Sequence, residues 1–85
     1  MDVEALKAEL KQLIVEECDI DMNAEDILDD EVLLGSDTRL GLDSLDALTI
    51  SLAVKDHYGK HIDSGNETRL ALTSIGHLAA FITTA

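Results

Sequence analysis

The run Leu40-Gly41-Leu42-Asp43-Ser44-Leu45-Asp46-Ala47-Leu48 sets one hydroxyl between two carboxylates at the start of an apolar-periodic segment. Asp43 suits the N-cap of a helix and Asp46 its third residue, a capping-box analogue with acids at the positive end of the helix dipole. Ser44 is then the first helical residue, and its hydroxyl is not needed for capping. A phosphate attached there would lie among the unsatisfied N–H groups of the helix start, a favourable place for a phosphodiester. Regulatory phosphorylation would use the same physics. No histidine base or second nucleophile stands near Ser44 in sequence. The serine therefore reads as a site to be modified, although an exposed serine is also common at this position of ordinary helices.

Other chemistry-bearing residues are less well arranged. Asp19-Ile20-Asp21-Met22-Asn23-Ala24-Glu25 begins like a calcium loop. Its sixth position is Ala24 where the sharp turn needs glycine, its eighth is Asp26 and its twelfth is Asp30 where a bidentate Glu is required. A solvated acidic loop is the better reading. His57 and His61 are four apart, but Gly59 between them breaks the helix that would align them as a metal pair. His77 reads as a surface or interhelix residue. Cys18, the only cysteine, falls on an apolar stripe and reads as a small buried thiol, and no disulfide is possible within the chain. With no metal set and no nucleotide-binding glycine loop, nothing argues for an enzyme.

The elements that must position these residues follow from periodicity. Apolar residues at Val3, Leu6, Leu10, Leu13, Ile14 and Cys18 predict a first helix from Val3 to about Cys18, with Asp2 as N-cap. From Asp19 to Asp43 the pattern loosens into a long loop, pinned to the core by Ile27, Leu28, Val32, Leu33, Leu34, Leu40 and Leu42, with a helical turn near Ala24 to Leu28. A second helix runs from Asp43 to about Tyr58 and is stopped by Gly59. Ser64-Gly65-Asn66 signals a turn, with one short helix up to Leu70. Thr73 or Ser74 caps the last helix, which buries Ile75, Leu78, Ala79 and Ile82 and is weakened locally by Gly76.

The second helix carries two apolar stripes. Ala47, Ile50, Val54 and Tyr58 fall together at about 100° per residue, and Leu45, Leu48 and Leu52 fall on roughly the opposite side. One stripe is enough for a helix at the edge of a small bundle. The second is either further core beneath the long loop or a docking surface beside Ser44.

Eighty-five residues make one domain, 1-85. Apolar residues are 46% and aromatics only 2%, so the core must be aliphatic, and the absence of proline favours an all-α fold. Eighteen acids against six bases give a net charge of −12. Such a field disfavours nucleic acid and anionic membranes and favours basic protein patches. No apolar run reaches membrane-spanning length and no signal-peptide core is present, so a cytoplasmic protein is expected.

At Gly41-Leu42-Asp43-Ser44-Leu45-Asp46 the chain resembles the acyl carrier proteins of type II, stand-alone systems, and the resemblance extends over essentially the whole chain. Leu33-Leu34-Gly35 is similar to the Leu-Phe-Gly that precedes the family's motif, Tyr58-Gly59 to its closure of the second helix, and Leu72-Thr73-Ser74-Ile75 to its entry into the last helix. The resemblance implies a small four-helix bundle of three main helices and one short one. It also implies a non-catalytic monomer whose Ser44 carries 4′-phosphopantetheine, installed from coenzyme A by a magnesium-dependent phosphopantetheinyl transferase. Acyl groups would ride as thioesters on the arm's thiol, presented to ketosynthase- or acyltransferase-type enzymes with basic docking patches. Asp43, Leu45, Asp46, Leu48 and Leu52 match the family's partner-contacting positions, which makes the leucine stripe the docking one.

The chain departs from the family's fatty-acid members. Thr49 stands where they usually have Glu, Lys55 where they have acids, and Asp63 where proline follows the equivalent of Ile62. The loop between Leu34 and Leu40 is about two residues longer than the common pattern, and the segment to Leu72, which holds Arg69, is longer too. These departures imply a carrier for a specialised lipid, lipopolysaccharide or polyketide pathway above one for housekeeping fatty acid biosynthesis. An aminoacyl or peptidyl carrier is the nearest alternative, and a small acidic calcium-binding or docking protein the alternative from a different class.

Overall fold

A computed structural model of the chain describes residues 2–35, 38–62 and 70–83. Among them stand three α-helices, one 3₁₀ turn and no β-strand, in the order α1 (Val3–Glu17), 3₁₀ (Ala24–Asp26), α2 (Ser44–Tyr58) and α3 (Ile75–Thr83). The short helix expected before Leu70 and the Ser64-Gly65-Asn66 turn lie outside the described residues, as do Asp63 and Arg69. The chain is again helical at Leu70 and Ala71.

Helix α1 starts where the sequence places it. The Asp2 carboxylate accepts the Glu4 N–H at 3.0 Å, satisfying one orphan donor of the first turn. Leu6, Leu10, Leu13 and Ile14, spaced three and four apart, are buried and face both α2 and α3. Each such aliphatic side chain contributes roughly 1.5–3 kcal/mol on burial. Val3, expected on this stripe, is instead exposed in the first turn of the helix.

The connection from Cys18 to Asp43 is irregular but held at many points. Its helical turn ends at Asp26, where Ile27 turns extended and buries its side chain. Leu33 and Leu42 are buried with it, and Leu34 and Leu40 pack partly against the core. Leu28 and Val32, expected as anchors, point outward. The turn between them faces Glu31 inward, where its carboxylate accepts the Leu28 N–H at 2.8 Å and holds Arg39. A parallel bridge joins Leu34 to Leu42, and the Leu33 N–H reaches the Thr73 carbonyl at 3.2 Å. Lys7 and Lys11 of α1 both grip Asp29, at 3.4 and 2.6 Å, and the Asp29 carbonyl accepts the Gly76 N–H of α3 at 2.8 Å. The loop thus fastens α1 to the start of α3.

Helix α2 buries Ala47, Ile50, Ala53 and Val54, while Tyr58 is half-buried with its hydroxyl 3.2 Å from Glu9 of α1. It ends at Gly59, whose φ of 68° is left-handed and whose N–H closes onto the Lys55 carbonyl at 2.9 Å. Helix α3 buries Ile75, Leu78 and Ala79 against α1, and Ile82 is half-buried.

Candidate functional site

The start of α2 is built by reciprocal capping. Asp43 takes extended backbone and its carboxylate accepts the Asp46 N–H at 3.0 Å, while the Asp46 carboxylate accepts the Asp43 N–H at 3.1 Å. Two of the terminal donors are satisfied by these two side chains. Gly41 aims the approach. Its φ of 60° would strain any side-chain-bearing residue, and its N–H is held by the Thr38 hydroxyl at 2.9 Å. Leu42 follows and is buried, which fixes the chain one residue before the cap.

Ser44 is therefore left exposed at the first helical position, with no hydrogen bond to its hydroxyl among the described residues. The backbone N–H groups of Ser44 and Leu45 likewise have no partner among the described residues. A phosphate on the Ser44 oxygen would meet these donors and the positive end of α2. The residues present fit such a group. Among the described residues no basic side chain is in hydrogen-bond contact with Ser44.

Beyond Ser44 the two stripes of α2 have opposite environments. Leu45, Leu48 and Leu52 are 72%, 56% and 61% exposed, whereas Ile50 and Val54 are fully covered. The described residues of the long loop do not cover these leucines, which therefore stand outside the core. Asp43 is exposed and Asp46 half-buried on the same helix end.

Cys18 is half-buried and not enclosed, since it caps the end of α1 and lies beside α2, its Sγ 3.9 Å from the Asp46 carbonyl. Burial first, then the neighbouring charges of Asp46, Glu17 and Asp43, push its thiol up to about 11. It is thus a poor nucleophile at neutral pH. Between the end of α1 and the start of α2 an open groove of about 610 Å³ runs past Cys18, Leu40 and Asp46. Sequence reasoning missed this groove because it is assembled from three separated segments.

The remaining candidates do not assemble. His57, His61 and His77 are exposed. In the acidic stretch Asp19 adopts left-handed backbone with φ 53°, and Ala24 opens the 3₁₀ turn. Among the described residues no three His, Cys, Asp or Glu side chains are grouped to hold a metal ion, and no helix is long and apolar enough to cross a membrane. No protein-family model matches the chain, and no curated protein is similar enough to count as a relative.

Proposed function

We propose that this chain is an acyl carrier protein, a non-catalytic domain that carries acyl intermediates as thioesters on a 4′-phosphopantetheine arm attached to Ser44. The observation that carries this reading is the Asp43–Asp46 capping box, which leaves the Ser44 hydroxyl exposed and unbonded beside two unpaired backbone N–H groups. When bound, the arm supplies the thiol that forms the thioester. The chain's own residues provide the attachment oxygen, donors for the phosphate, and the exposed Leu45, Leu48 and Leu52 stripe for enzymes with basic patches. The four-helix acyl-carrier arrangement, the monomeric state, the cytoplasmic setting and a specialised pathway belong to the same proposal.

The test is incubation with coenzyme A, magnesium and a broad-specificity phosphopantetheinyl transferase. Wild type should gain one phosphopantetheine by mass and Ser44→Ala none; no gain on folded wild type would sink the reading. Leu48→Arg tests the docking stripe. It should leave the melting temperature unchanged, since exposed substitutions usually stay within about 0.5 kcal/mol, yet slow loading by about tenfold or more, the loss of roughly 1.4 kcal/mol of interface energy. Unaltered loading kinetics would remove the leucines from the docking surface.

A further inference from the structure

The chain leading to Ser44 is fixed residue by residue. The Asp43 N–H is held by the Asp46 carboxylate, and Leu42 is buried, its N–H reaching the Leu33 carbonyl at 3.4 Å and its carbonyl accepting the Gly35 N–H at 3.0 Å. The Gly41 N–H donates to the Thr38 hydroxyl, which donates in turn to the Gly35 carbonyl at 2.8 Å. Leu40 packs partly against the core. At the far end of this run stands Arg39. Its Nε and Nη2 take the two carboxylate oxygens of Glu31 at 2.8 and 2.6 Å, and Nη2 also donates to the Asp26 carbonyl at 2.7 Å. Glu31 accepts the Leu28 N–H as well. The guanidinium thus ties the turn at residues 26 to 31 to the approach to Ser44.

We propose that Arg39 is a positioning residue for the loading of Ser44: its clasp on Glu31 and the Asp26 carbonyl holds residues 39–43 in the path that presents the start of α2 to the transferase. The proposal rests on the carrier reading above. An isolated surface ion pair contributes little, because solvent and salt screen it and two long side chains must be ordered. This pair is different in kind. The contact is two-pronged, a backbone carbonyl adds a third bond, and the Glu31 side chain is only 13% exposed. Arg39 acts through the backbone from Leu40 to Asp43 and not on the serine itself. Without the clasp the folded chain samples other paths along this run, and only the fraction in the right one is bound productively. That cost falls on binding, so KM rises while kcat is kept.

The test is steady-state loading by a phosphopantetheinyl transferase with coenzyme A and magnesium, the carrier being the varied substrate. Arg39→Ala should raise KM about fivefold with kcat unchanged, the effect of a productive path populated about one-fifth of the time. Glu31→Ala should raise KM in the same direction, and the double variant should do no more than the larger single change, since both remove one clasp. Arg39→Lys keeps the charge without the two-pronged contact and should fall between wild type and Arg39→Ala. Ser74→Ala, which weakens the cap of α3, controls for lowered stability and should keep the wild-type KM. A wild-type KM in Arg39→Ala would overturn the proposal. So would shifts of opposite sign in Arg39→Ala and Glu31→Ala, which would mean that the protein's overall field, and not the clasp, is being read. Amide exchange gives a readout independent of loading: in Arg39→Ala the Gly35 and Gly41 N–H groups should exchange faster, beyond any change at Leu10 and Ile14, which report global stability. Unchanged exchange there would overturn the clasp even if no loading is seen, whereas absent mass gain on wild type counts against the carrier reading instead.

Discussion

Two serines open helices in this protein and meet opposite fates. Ser74 precedes α3 and acts as its cap. Its Oγ accepts the His77 N–H at 3.2 Å and lies 2.7 Å from His77 Nδ1, and the residue is only 3% exposed. Ser44 stands one position further into its helix, with the capping done by Asp43, and keeps an exposed, unbonded hydroxyl. The start of α3 is an internal joint, fastened to the loop by the bond from Gly76 N–H to the Asp29 carbonyl. The start of α2 is an open end. A hydroxyl becomes available for modification when a neighbour takes over the structural task at the helix terminus.

Exchanging the two losses is the strongest way to break this contrast. Ser44→Ala should abolish modification completely and change stability by less than about 0.5 kcal/mol, as for other exposed sites. Ser74→Ala should load normally yet lose about 1–2 kcal/mol in urea unfolding, the typical cost of removing a serine cap at the upper end, where the site is buried. A Ser74→Ala variant as stable as wild type would mean that its hydroxyl is not the cap of α3. A Ser44→Ala variant unfolded at room temperature would mean that the α2 start is structural after all.

The difference also explains what could be read from the sequence. The α2 start is encoded within four consecutive residues, so Asp43, Ser44 and Asp46 were assignable from spacing alone. The helical stripes of α1 and α2 were legible for the same local reason. At α3 the adjacent hydroxyls Thr73 and Ser74 left the cap ambiguous, and the His77 N–H on the Ser74 Oγ, with the Leu78 N–H on the Ser74 carbonyl, selects Ser74. Gly76 reads in sequence as a weak point of the last helix. In space its backbone N–H is a fastening point, donating to the Asp29 carbonyl at 2.8 Å, where an added Cβ would make only an ordinary contact at 3.4 Å. Leu28 and Val32 were misplaced because an irregular loop has no period from which a facing direction follows. Whether Leu45, Leu48 and Leu52 are covered or exposed depends on the path of the long loop, which no local pattern records.

A smaller effect probes the joint itself through pH. Asp29 is held below its ordinary value of 3.8, first by the hydrogen bond from Lys11, with Lys7 adding to it and partial burial opposing. A carboxyl whose folded-state value is depressed binds fewer protons in the folded protein than in the unfolded chain. Its contribution is fully present above 3.8 and is lost as pH falls through the lower folded-state value. Replacing the side chain by Asp29→Asn keeps the carbonyl that receives Gly76 but removes this titration. The variant should therefore be somewhat less stable at neutral pH, with a flatter decline of the unfolding midpoint below about pH 4 than wild type. Added salt should narrow the gap, because the lysines and Asp29 are solvent-accessible and screened. Parallel acid limbs for the two proteins would show that the carboxylate does not couple α1 to the joint, leaving the backbone bond from Gly76 as the fastening that separates the closed start of α3 from the open start of α2.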